Sequence, residues 1–238
     1  LYSNTTSVNS VAVGYQAAYS QSTVNSGLVA LGYQALYSGG GGQEIAIGYQ
    51  AGYSVNVAGG YGIYIGYRAG YATTSGYPNV YIGYGSGTTA TTAGANVAVG
   101  YNSLTASTAS NNTAVGNRAM VTNTTGSENA AFGDVSLRDN TTGSYNAAFG
   151  RASLVSNTTG GGNTAIGYYS LFNNTTAGAM TAVGYQAGYS FNYSQGYSTF
   201  IGYRAGYGSN PNSSQHYGNT CMGYNVGYSM TTGYANLY

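Results

Sequence analysis

Asn112-Thr-Ala-Val-Gly116 is followed by Asn129-Ala-Ala-Phe-Gly133, Asn146-Ala-Ala-Phe-Gly150 and Asn163-Thr-Ala-Ile-Gly167. Outward from these four, related phrases close on Gly14, Gly32, Gly48, Gly66, Gly83 and Gly100 upstream and on Gly184, Gly202 and Gly223 downstream. The twelve intervals between the thirteen glycines are 18, 16, 18, 17, 17, 16, 17, 17, 17, 17, 18 and 21 residues. A unit this short cannot hold a helix pair or a propeller blade; it falls where each repeat is one coil of a β-solenoid. The fold class read from the spacing is all-β: a parallel β-solenoid of about 13 coils with a period of about 17 residues, in a single repeat domain over 1–238. Leu1 keeps the phase of Leu36, Leu104 and Leu171, and Asn236-Leu-Tyr238 matches Asn79-Val-Tyr81. Both ends therefore fall inside a repeat, and the chain reads as a window of a longer fibrous protein.

The coil can be read by position from its glycine. The preceding residue is always large and apolar, from Val13 and Leu31 through Ile65, Val99 and Ile166 to Met222, and reads as a buried ladder. Two residues earlier runs a second column rich in Val, Ile and Thr, and a spacing of two is the strand period, so both columns share a face. Between them the opposite face is mostly Ala. Small side chains there leave two readings open, an exposed strand face or a subunit interface at Ala114, Ala131, Ala148 and Ala165. Just after the glycine come Tyr15, Tyr33, Tyr49, Tyr67, Tyr84, Tyr101, Tyr168, Tyr185, Tyr203 and Tyr224, interrupted by Asn117, Asp134 and Arg151. Equivalent residues on successive coils lie ~4.8 Å apart, a distance at which rings stack with an offset, so a tyrosine ladder is expected, with Asp134 and Arg151 paired in its gap. Four residues after the glycine stands Leu, Met or Gly, and where it is Gly, as at Gly52, Gly70, Gly188, Gly206 and Gly227, the Tyr that follows is expected to take over its packing.

The remainder is turn chemistry. In Asn123-Thr-Thr-Gly126 and its copies ending at Gly143 and Gly160, Gly is expected to supply a positive φ and Asn to cap the turn. A further Asn recurs four residues before the anchor, where an inter-coil hydrogen-bond ladder is expected. Sequons at Asn4, Asn111, Asn123, Asn140, Asn157, Asn173, Asn174, Asn192 and Asn212 follow from the Asn and Thr content of the turns and are weak evidence of glycosylation.

Composition narrows the function. The 238 residues include 40 Gly and 29 Tyr but only 4% charged residues, for a net charge of +1. Arg68, Arg118, Arg138, Arg151 and Arg204 are too scattered for a nucleic-acid-binding face, and no apolar run approaches the ~20 residues of a membrane span. Glu44, Glu128, Asp134 and Asp139 form no recurring pair, and the single His216 and single Cys221 make neither a metal site nor a dyad. No catalysis, cofactor or metal is expected.

The Asn-Thr-Ala-Val/Ile-Gly phrase at 112–116 and 163–167 resembles the head repeats of trimeric autotransporter adhesins, the YadA-like head. The GYQA phrases at 32–35, 48–51 and 184–187 make it similar also to repeat regions of phage tail-fibre-like proteins. The resemblance spans nearly the whole chain, although that family's coil is usually shorter and its tyrosine content lower. It implies a left-handed β-roll in a homotrimer, extracellular, on a cell or virion surface. The function expected is a structural and adhesive surface fibre, an adhesin head or tail-fibre shaft, working by multivalent contact with surface glycans among other targets. The alternative is a self-assembling extracellular filament subunit, joined end to end and without a specific ligand. An ice- or mineral-binding face is disfavoured on the expectation that the Thr column is buried.

Overall fold

The computed structural model describes residues 9–20, 27–39, 42–56, 60–76, 78–192, 196–209, 218–230 and 235–238. The chain divides into two compact units, 1–115 and 116–238. In the first, β1 (Val11–Val13), β2 (Val29–Leu31), β3 (Ile45–Ile47), β4 (Ile63–Ile65), β5 (Asn79–Ile82), β6 (Asn96–Val99) and β7 (Thr113–Val115) pair in parallel and in sequence order. In the second, β8 (Ala130–Phe132), β9 (Ala147–Phe149), β10 (Thr164–Ile166), β11 (Thr181–Val183) and β12 (Thr199–Ile201) do the same. A short pair follows, β13 (Gly208–Ser209) with β15 (Ser229–Met230), while β14 (Thr220–Met222) continues the main sheet beside β12. Among the described residues there is no helix. The fold is the β-solenoid expected from the period, and its register aligns the columns read from the sequence: Thr164 faces Thr181, Ala165 faces Ala182 and Ile166 faces Val183.

The anchoring glycines are required by geometry. All thirteen sit at φ between 128 and 140°, a conformation in which an L side chain is strained. A Cβ on Gly32 would also collide with the carbonyl oxygen of Gly48 in the next coil. After this corner the chain alternates: the second and fourth residues past each glycine take φ near +50°, as at Gln34 (53°) and Leu36 (51°). For a leucine that conformation costs roughly 1–2 kcal/mol. Complete burial, worth about 1.5–3 kcal/mol, offsets it at Leu36, Leu104, Leu137, Leu154 and Leu171. Glycine meets no such cost, which is why Leu and Gly alternate there.

The coil interior is the reverse of the sequence expectation. The middle strand column points inward and is wholly buried: Ala30, Ala46, Ala98, Ala114, Ala131, Ala148, Ala165 and Ala182, with Tyr64, Tyr81, Phe200 and Cys221. The flanking aliphatic columns, including Ile65, Val99 and Ile166, face outward and are half-buried or exposed. The reason is width. Between strand and return segment there is room for about one large side chain per coil. Ala on the strand is matched across the coil by Leu or Met, as with Ala131 and Leu137, or by Gly where the aromatic of the next coil reaches over, as with Ala46 and Gly52 beside Tyr64 and Ala182 and Gly188 beside Phe200; an aromatic residue on the strand is matched by Gly, as with Tyr64 and Gly70, Tyr81 and Gly87, and Phe200 and Gly206. A Cβ on Gly87 would stand 2.5 Å from the Tyr81 ring, and one on Gly188 would stand 2.8 Å from both Leu171 and Phe200. The packing lost with Leu is thus recovered by an inward aromatic from the strand, not by the Tyr that follows Gly.

Two asparagine ladders satisfy the turns. Four residues before the anchor, Asn96 N–H donates to Asn79 Oδ1 (2.9 Å), Asn112 N–H to Asn96 Oδ1 (2.8 Å), and Asn163 N–H to Asn146 Oδ1 (3.0 Å). In the Asn-Thr-Thr-Gly turns, Nδ2 of Asn157 donates to Oδ1 of Asn140 (2.8 Å) and caps its own turn at Gly160 O (2.9 Å). Gly126, Gly143 and Gly160 do not take positive φ. They are glycine because a Cβ would strike the carbonyl oxygen of the turn stacked against them.

Candidate functional site

The outward strand face is the first candidate surface. Val13, Ile47, Phe149, Ile166 and Met222 are 62, 37, 39, 42 and 56% exposed. Beside them run half-buried Val29, Ile45, Ile63, Val80 and Val97 in the first unit and Thr164, Thr181, Thr199 and Thr220 in the second. Phe132 and Phe149 stack at 4.8 Å. This is a periodic apolar face of the kind that monomeric proteins rarely leave uncovered. The proposed interface alanines, Ala114, Ala131, Ala148 and Ala165, are fully buried within their own coils and cannot be reached by a second chain. A subunit contact on this strand would use the residues on either side of them. The Thr column is likewise on the outside.

The tyrosine ladder forms as read. Tyr15, Tyr33, Tyr49, Tyr67, Tyr84 and Tyr101 stack at centroid distances of 5.3, 5.0, 5.1, 4.8 and 5.3 Å. Tyr168, Tyr185, Tyr203 and Tyr224 stack at 5.6, 5.2 and 5.1 Å. A second ladder was not singled out in the sequence. Tyr19, Tyr37, Tyr53 and Tyr71 stack at 4.9–5.1 Å, and Phe172, Tyr189, Tyr207 and Tyr228 at 4.9–5.0 Å. Its signal was available: these residues all stand five positions after the anchoring glycine. Within each stack neighbouring rings lie nearly parallel, as with the 6° between Tyr33 and Tyr49.

Between the ladders runs a polar column. Gln34 Nε2 donates to Gln16 Oε1 (2.8 Å) and Gln50 Nε2 to Gln34 Oε1 (2.9 Å). Arg68 lies over the Tyr71 ring at 4.2 Å, and Arg204 donates to Gln186 Oε1 (2.7 Å) while lying 5.3 Å from both Tyr203 and Tyr207. Where the first ladder is interrupted, Asn117 Nδ2 donates to Asp134 Oδ1 (2.7 Å), and Arg151 Nε to Asp134 Oδ2 (3.1 Å). Arg151 Nη1 then donates to the hydroxyls of Tyr168 and Tyr169, each at 3.0 Å. The shared hydrogen bond with Tyr168, then that from Arg151, lowers the Tyr169 phenol below its ordinary pKa. Both charged side chains are well exposed, so solvent screens the Asp134–Arg151 pair and it serves chiefly as register.

Inside the coil, burial pushes the Glu44 carboxyl up to about 7 against the backbone amides of Glu44 and Gly42, and its Oε1 finds no hydrogen-bond partner. Burial likewise pushes the Cys221 thiol up to about 11. Among the described residues no cluster of His, Cys, Asp and Glu has metal-binding geometry, and no helix is long and apolar enough to cross a membrane. Of the sequons, Asn123, Asn140, Asn157 and Asn174 are buried with Nδ2 engaged, Asn111 and Asn192 are exposed, and Asn4 and Asn212, like His216, lie outside the described residues. Comparison with protein-family models, curated proteins and solved structures finds no match to this chain.

Proposed function

We propose that the chain is a structural segment of a surface fibre that associates laterally with copies of itself through the outward strand face. One observation carries the reading. A large apolar residue recurs just before the anchoring glycine on successive coils, joined in the first unit by a second outward column of Val and Ile, and these side chains point away from a core already filled by Ala and Leu. Water-exposed apolar surface of this regularity gains free energy when covered, and a second copy offers the same spacing rung for rung. The low charge does not oppose association. The extracellular setting and the adhesive role follow the resemblance to adhesin heads and tail fibres; the tyrosines, glutamines and arginines of the ladder face are the groups that would meet a glycan or other target. No step in this function calls for catalysis.

The test is sedimentation of the dilute chain beside a variant carrying Ile47→Glu and Ile166→Glu. The parent is expected to sediment as an oligomer and the variant as a monomer with unchanged circular dichroism. A parent that remains monomeric at micromolar concentration, or a variant that associates as well as the parent, overturns the proposal.

A further inference from the structure

The two tyrosine ladders place phenols side by side in one chain over many coils, and they do so in a protein with few other oxidisable groups on its surface. There is no Trp, and the single Cys221 is buried. Within the ladders the rings are nearly parallel: Tyr33 and Tyr49 differ by 6° and Tyr37 and Tyr53 by 4°. Tyr33 and Tyr49 are exposed, and Tyr37 and Tyr53 are half-buried, so the ladders are open to an oxidant from solvent.

We propose that these ladders are sites of oxidative cross-linking, at which neighbouring rungs of one chain are joined carbon to carbon when a haem peroxidase and hydrogen peroxide act on the surface. Each of two adjacent phenols yields one electron and its hydroxyl proton to the oxidised haem. The two phenoxyl radicals form a carbon–carbon bond ortho to oxygen, and each coupled carbon passes its hydrogen back to its own ring oxygen as the ring rearomatises. In sum, two tyrosines and one hydrogen peroxide give one dityrosine and two waters. The fold supplies proximity. Partners that would meet by diffusion in a disordered chain are held here at 4.8–5.6 Å between centroids, which turns radical coupling into an intramolecular step. Each bond joins residues 16 to 21 positions apart, so every link staples one coil to the next.

This inference is independent of lateral association and is tested on the dilute full chain with peroxidase and limiting hydrogen peroxide, reading dityrosine fluorescence and mapping linked peptides by mass spectrometry. Tyr61, Tyr145 and Tyr197 provide the contrast, because they are 60, 65 and 72% exposed and lie outside both ladders, whereas Tyr33 and Tyr49 are 42 and 43% exposed. If exposure alone governed reaction, those three would couple before Tyr33 and Tyr49. The expected result is intrachain links between rung neighbours such as Tyr33 with Tyr49, exceeding links that contain Tyr61, Tyr145 or Tyr197 by about tenfold. In a variant carrying Tyr33→Phe and Tyr67→Phe the rings still stack, but Tyr49 has no phenol on either side in its ladder. Tyr49 should then drop out of the linked set while Tyr37, Tyr53 and Tyr71 continue to couple. No dityrosine, links centred on the three isolated tyrosines, links only between separate chains, or undiminished linking of Tyr49 in the variant would each overturn the proposal.

Discussion

Phe200→Ala should be severely destabilising, and Gly206→Leu should partly repair it. Phe200 is fully buried, reaches Phe191 at 5.2 Å, and fills the space in front of both Gly188 and Gly206. Truncating such a ring costs about 3–5 kcal/mol, the transfer term plus the cavity left behind. With Ala at 200, the coil has the strand residue of the coils built on Ala131 and Ala148 but lacks their Leu137 or Leu154. Leu at 206 supplies it, at a φ of 62° close to the 47–51° that buried leucines already accept. Its return should recover about 1 kcal/mol, the worth of a buried leucine less the cost of its backbone. Alone, Gly206→Leu should be harmful, since its Cβ would collide with the Phe200 ring, and overpacking costs about 1–3 kcal/mol. Urea unfolding of the four members of this cycle measures the coupling directly. If the double variant is no more stable than Phe200→Ala, the claim that one large side chain fills each coil is wrong.

Ala148→Arg should unfold its coil rather than merely separate subunits, because the side chain would enter a closed interior; loss of circular dichroism checks this, and a folded monomer would contradict it. Tyr49→Ser removes two stacks, at 5.0 and 5.1 Å, and should cost about 1–3 kcal/mol in thermal unfolding. Glu44 makes stability depend on pH: its carboxyl titrates near 7 when folded and near its ordinary 4.5 when unfolded, so the folded state holds the extra proton between those values. Stability should therefore fall as pH rises through this window, by up to about 1.4 kcal/mol per pH unit, and level off above it. Unfolding measured from pH 4 to 8 should show that slope in the parent and not in Glu44→Gln.

The period was legible because the anchoring corner admits only glycine: a residue dictated by a collision with the next coil recurs wherever there is a next coil. The ladders of Tyr and Asn followed, since parallel in-register stacking turns any recurring residue into a column. What alternation does not reveal is which face of a strand is inside. Val, Ile and Phe on one side and Ala on the other argue for the large side chains inward in a wide core, and this coil is narrow. The missing clue was the exchange of Ala and Leu for an aromatic and Gly, visible wherever Tyr64, Tyr81 or Phe200 replaces Ala and Gly70, Gly87 or Gly206 replaces Leu. The turn glycines misled for a related reason. Gly126 resembles a positive-φ turn residue in sequence, yet it is small because Gly143 is stacked against it.

The asparagine ladder of the Asn-Thr-Thr-Gly turns bears on how such a chain can change length. Asn140 and Asn157 each have a like neighbour before and after, whereas Asn174 ends the row with its Oδ1 buried and unpartnered. The energetic penalty of the row therefore belongs to its terminus and is independent of how many members precede it. Duplicating one whole unit of 17 residues within residues 123–157 creates no new terminus and leaves every amide partnered, so recombination between repeats can lengthen or shorten this segment in whole coils. An insertion that does not complete a coil in the same place would break the row in two and bury a second orphaned amide.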